Sequence, residues 1–103
     1  MLVNKNYEQN TVVSFKLVTG EEIVAKVLEV TDTAFIISKP TSVVPSQHGI
    51  GLLQSLYTSE SMERLELSKQ HVLFHAVTAK QVETYYISTT TGIETVGAGE
   101  LVI

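Results

Sequence analysis

Residues 11–27 read Thr11-Val12-Val13-Ser14-Phe15-Lys16-Leu17-Val18-Thr19-Gly20-Glu21-Glu22-Ile23-Val24-Ala25-Lys26-Val27, and this stretch decides the fold class. Val13, Phe15 and Leu17 alternate with Ser14 and Lys16, the period of two that marks a half-buried strand. Thr19, Gly20 and Glu21 interrupt the alternation. Gly20 adopts a positive φ without steric cost, so a tight hairpin turn is expected there. The return strand, residues 22–30, places Ile23, Ala25 and Val27 on one face. Val24, Leu28 and Val30 lie on the other, where Lys26 is the one charged residue among them. Apolar residues on both faces predict a strand covered from two sides, as in a small, strongly bent barrel.

Outward from this pair, Thr31-Asp32-Thr33 predicts a turn and residues 35–39 a third strand ending at Pro40. Residues 40–50 hold both prolines, Pro40 and Pro45, and read as a loop. Strands are expected at 52–58, at 63–67 and at 71–77, with turns at 59–61 and 68–70. In the last strand Val72, Phe74 and Ala76 share one face, and His71, Leu73, His75 and Val77 the other. Phe15, Phe35 and Phe74 read as core. The period then changes: Val82, Tyr85, Tyr86 and Thr89 recur at i, i+3, i+4 and i+7, one stripe of a helix. Thr78 and Gln81 have the spacing of a capping box, and Gly92 suits the position past a helix end. The chain therefore divides into an amino-terminal arm (1–10), a β unit (11–77), a helix (79–91) and a tail (93–103) that reads as an edge strand or arm.

Composition bounds the function. A chain of 103 residues is one domain. Val, Thr and Ile supply 33 of those residues, and their stiffness at χ1 favours a pleated sheet. The longest apolar run, Ala34 to Ile37, is far short of the roughly 18 residues that cross a bilayer, so no transmembrane segment is predicted. Met1 to Asn10 carries no apolar stretch after Lys5. A cytoplasmic protein without a secretory signal is expected. The mean hydropathy of +0.19 is high for so small a chain and points to apolar surface covered by another copy.

Chemistry-bearing groups are sparse. Asp32 is the only aspartate, no Gly-x-Ser-x-Gly elbow occurs, and there is no cysteine. The Gly-x-Gly pieces at 49–51 and 97–99 lack the third glycine of a dinucleotide site and read as turns. Glu21 with Glu22, and Glu63 with Glu66, read as solvated surface. His71 and His75, four apart on a strand, would lie about 13 Å from one another, too far to share a metal ion. The expectation is no enzyme, no cofactor and no metal. Seven basic residues against eleven acidic ones, with a pI near 5.2, argue against a protein that grips duplex DNA through its phosphates. Binding of a single strand by local charge and stacking needs no net positive charge.

The strand pair has a more specific look. Val13 to Gly20, then Ile23, Ala25 and Val27, then Asp32 and Phe35 to Ile37, resembles the first signature of the Sm, LSm and Hfq proteins. There an alternating strand ends in Leu-x-x-Gly, a bent second strand carries a small residue where Ala25 stands, and an Asp precedes the third strand. Lys69-Gln70-His71-Val72 resembles the short turn between the last two strands of that family. Where the family's uridine-contacting Asn stands, this chain has Ile36, or Phe35 under the other alignment. With its helix after the last strand, the chain is most similar to the small Sm-like proteins of tailed phages of cyanobacteria.

The resemblance implies a small, strongly bent five-stranded barrel of the SH3 type, mainly β, with one carboxy-terminal helix. It also implies a homo-oligomeric ring of about five to seven subunits, in the cytoplasm of a bacterial host if phage-encoded. Single-stranded RNA would bind near the pore through Asp32, Thr33 and Phe35 of one loop and Lys69 and Gln70 of another. The missing Asn and the acidic pI support an alternative: a ring that has lost RNA and acts as a protein-interaction or virion-associated scaffold. A monomeric barrel that binds peptides along an edge is a third reading.

Overall fold

A computed structural model of the chain describes residues 7–91 and the backbone of 101–102. Six antiparallel strands form one sheet: β1 (Thr11–Leu17), β2 (Glu22–Val30), β3 (Ala34–Ser46), β4 (Gly49–Gln54), β5 (Leu65–Ser68) and β6 (Val72–Val77). The helix α1 (Lys80–Thr90) follows, and the two-residue β7 (Leu101–Val102) pairs with β4. The sheet order is β6-β1-β2-β3-β4-β7, with β5 also on β3. No helix among the described residues is long and apolar enough to cross a membrane.

The turn at Gly20 forms as its sequence requires. Gly20 sits at φ +94° and its N–H donates to the Leu17 carbonyl at 2.8 Å. A side chain there would meet no neighbour, so the positive φ is what calls for glycine. The β2–β3 register slips twice, between Val24 and Lys26 and between Val27 and Glu29. Such bulges bend a strand, and β2 accordingly serves two cores. Ile23, Ala25 and Val27 pack with Val13, Phe15, Phe35 and Ile37 on one face. Val24 packs with Val12 and Tyr86 on the other, flanked by Val43, Leu52 and Val82. The reading of β2 as covered on both sides is thus met, one cover being α1.

Tyr86 anchors that helix. It is 0% exposed, accepts a hydrogen bond from the Lys26 N–H at 3.2 Å, and shares its proton between the carbonyls of Ser38 (3.0 Å) and Lys39 (2.8 Å). Lys39 stands at φ +52°, and the carbonyls on either side of this kink reach the same hydroxyl. Burial chiefly pushes the phenol pKa up to about 12, so the proton stays in place.

Four expectations are corrected. Residues 40–50 are not a loop: β3 runs through both prolines to Ser46 and pairs with β4 from Thr41–Gln54 to Ser46–Gly49. Beyond Ser42 the strand has no β2 partner, so Pro45 forfeits no ladder bond on that side. The capping box does not form either. Ala79 is the N-cap with no side-chain bond, because the Thr78 hydroxyl pairs with Ser14 Oγ at 2.8 Å and its N–H donates to the Val12 carbonyl. Phe74 is 66% exposed, not core. Finally, His71 belongs to a 3-10 turn over Lys69–His71 and does not share a strand with His75. Most of the expected arm and tail, and Gly92, lie outside the described residues.

Candidate functional site

Two turns separated by more than thirty residues meet at one end of the sheet. The β2–β3 turn is held by Thr31, whose hydroxyl accepts from the N–H groups of Thr33 (3.3 Å) and Ala34 (3.0 Å). Thr31, not Asp32, does the capping, and Asp32 and Thr33 are exposed. The second turn, Lys69–His71, starts where Ser68 Oγ accepts from the Gln70 N–H, and it ends where the Val72 N–H donates to the Lys69 carbonyl. A single bond joins the two: the Lys69 N–H donates to the Thr33 carbonyl at 2.9 Å.

Aromatic rings underlie this junction. The Lys69 ammonium lies 5.6 Å from the centre of the Phe35 ring, within cation–π range. Phe35 meets Phe15 edge-on at 5.0 Å and His75 at 4.9 Å, and His75 meets Tyr7 at 5.5 Å. Tyr7 Oη and His75 Nδ1 are hydrogen-bonded at 2.5 Å. Burial, and secondarily the Lys69 charge, holds the His75 pKa below its ordinary range. The neutral ring shares this hydrogen bond through Nδ1, and burial in turn raises the Tyr7 pKa.

Of the five residues singled out in the sequence, Thr33, Phe35 and Lys69 come together. Asp32 and Gln70 sit exposed on the same two turns. Phe35 is 3% exposed, so its ring is spent on the core and holds Lys69 from beneath. Tyr7 and His75 were not anticipated. His75 could have been found from its register opposite Phe15, whereas nothing in the sequence ties Tyr7 to this end. The single arginine, Arg64, is engaged by Glu29 at 3.0 Å. Among the described residues no three His, Asp or Glu side chains gather to hold a metal ion.

No family model matches the chain, and no curated protein matches it.

The lowered His75 pKa fixes a direction for acid sensitivity. Below about pH 6.5 the unfolded chain takes up a proton at this position that the folded protein resists, so stability falls as pH drops toward the folded-state pKa. Above that window His75 contributes no pH dependence. Melting temperatures measured between pH 7.5 and 5 should decline less for His75→Gln than for the wild type; equal slopes would place the acid sensitivity elsewhere.

Proposed function

We propose that the chain is an Sm-like ring subunit that binds single-stranded RNA through the turns 31–33 and 69–71. The observation that carries this reading is the Lys69-to-Thr33 bond, which brings the Lys69 cation over Phe35, the exposed Gln70 amide and the Thr33 hydroxyl to one edge of the fold. In this reading β1, β2, the first half of β3, β5 and β6 are the five strands of a bent, SH3-type barrel. The hairpin of residues 41–54 is an insertion between the third and fourth of them. The outer edges of β5 and β6, unpaired among the described residues, join neighbouring subunits, which brings several copies of Lys69 around a pore. Lys69 meets phosphate, Gln70 and Thr33 meet base edges or ribose, and Asp32 lies beside them. The expected setting is the cytoplasm of a bacterial host, as for the phage proteins the sequence resembles.

Titration of fluorescently labelled oligo-U and oligo-A at low and high salt tests the reading. Binding at tens of micromolar or tighter is expected, weakening as salt rises. Lys69→Ala should weaken it by about tenfold, since each ring would lose one phosphate contact per subunit. The acidic pI and the burial of Phe35 favour a second reading, a ring that serves as a protein scaffold. Absence of binding at tens of micromolar would select it.

A further inference from the structure

We propose that the cleft between the β3–β4 hairpin, residues 55–62 and the carboxy-terminal end of α1 binds a guanidinium cation. The cleft has a volume of about 510 Å³, and no residue of turns 31–33 or 69–71 lines it. The inference is therefore independent of the RNA reading.

Beside Lys39, four of its polar side chains present acceptor oxygens, and each of them has a proton committed elsewhere. The Thr41 hydroxyl donates to the Val24 carbonyl at 2.9 Å. Those of Thr89 and Thr90 both donate to the Tyr86 carbonyl, at 3.0 and 2.8 Å. Gln54 Nε2 donates to the Leu56 carbonyl at 2.7 Å, and its Oε1 is an acceptor for a ligand. Thr89 and Thr90 also stand in the last turn of the helix, where backbone carbonyls without intrahelical partners concentrate negative partial charge. A ligand that suits such a lining brings donors and positive charge.

Shape narrows the class further. Tyr57 is 70% exposed and lines the cleft together with apolar Met62 and Pro40. A planar cation stacks on such a ring, and a guanidinium has five N–H donors and no acceptor. Lys39, which also borders the cleft, has the Glu63 carboxylate 3.8 Å from its ammonium, which offsets part of its charge. The formal net charge of −4 favours cation approach in general.

The same head group occurs in free guanidinium compounds and in arginine side chains, so both are used as probes. Agmatine and acetyl-Gly-Arg-Gly-amide are titrated into the ¹⁵N-labelled full chain, with n-butylurea as the neutral planar control. Saturable shifts of the Gln54, Tyr57, Thr89 and Thr90 amides are expected with both guanidinium probes, and n-butylurea should bind at least about tenfold more weakly. Equal affinities assign the site to a free cation; a peptide about tenfold tighter assigns it to an arginine of a partner chain. Tyr57→Ala should weaken agmatine about threefold or more. Thr89→Val, which removes an acceptor while keeping the side-chain shape, should do likewise, with circular dichroism confirming that the helix persists. The proposal is overturned by the absence of saturable shifts, by shifts confined to another surface, by equal binding of n-butylurea, or by unaltered affinity in both variants.

Discussion

Tyr86→Ala is expected to lower the free energy of unfolding by about 3–5 kcal/mol, the largest loss for a single side chain in this fold. The ring is fully buried between β1, β2 and α1 with Val12 and Val24 against it. Its removal leaves a cavity that Val43, Leu52 and Val82, each already half-buried, have little freedom to fill. Tyr86→Phe separates the ring from its hydroxyl. It keeps the packing but strips partners from the Lys26 N–H and the carbonyls of Ser38 and Lys39. A loss of about 1–3 kcal/mol is expected from those unsatisfied groups. Against a total stability of about 5–15 kcal/mol for a small domain, the alanine variant is close to unfolded. Urea unfolding followed by circular dichroism measures both losses. A Phe variant as stable as the wild type would mean that water replaces the phenol at the Lys39 kink.

That same residue shows how far sequence reading reaches. The stripe of Val82, Tyr85, Tyr86 and Thr89 announces the helix because a period near 3.6 is a local property. The alternation in β1 and the turn at Gly20 are local as well, and both were legible. The β3–β4 hairpin was not, because proline forbids a strand only where its missing N–H is needed. At Pro45 that depends on where β2 ends, which is a tertiary fact.

Phe74 illustrates a second limit. Simple alternation puts Val72, Phe74 and Ala76 on one face. The register slips at Lys16/Leu17, so that Val72 pairs with Leu17 and Phe74 with Lys16, leaving Leu73 as the extra residue. One inserted residue reverses the face of everything beyond it. Val72 therefore joins the core, Phe74 turns outward, and His75 faces Phe15. At the candidate site, turn chemistry located the two loops and the apolar run 34–37 put Phe35 in the core, while the place of His75 beside Tyr7 depends on that slip. Thr31 holds the 31–33 turn and leaves the Asp32 carboxylate exposed.

The outward turn of β6 leads to the second large effect. Replacing Leu73 and Val77 together by Lys is expected to convert the proposed ring into single 11.3 kDa chains. Among the described residues nothing pairs with the outer edge of β6, and β5 pairs with β3 alone. On that edge strand Leu73, Phe74 and Val77 are 59%, 66% and 63% exposed. An edge strand with unpaired backbone and three large apolar side chains in water is a site of strand addition unless something covers it. The β5 edge of a neighbouring copy is the complement that the ring proposal supplies.

Two lysines per β6 would place like charges along every copy of that junction and bury none of them favourably. Because both positions are exposed, the protomer itself should change by only about 0.5 kcal/mol. Light scattering distinguishes the outcomes: a wild type at several times 11.3 kDa and a double variant at the single-chain mass support the edge-to-edge ring. A wild type already at 11.3 kDa, or a variant at the wild-type mass, removes the β6 edge from the assembly. RNA affinity should fall with the mass, since one Lys69 per chain gives a strand little to hold until neighbouring copies add theirs. A monomeric variant that still bound oligo-U as tightly as the wild type would show that the two turns act within one chain, without a pore.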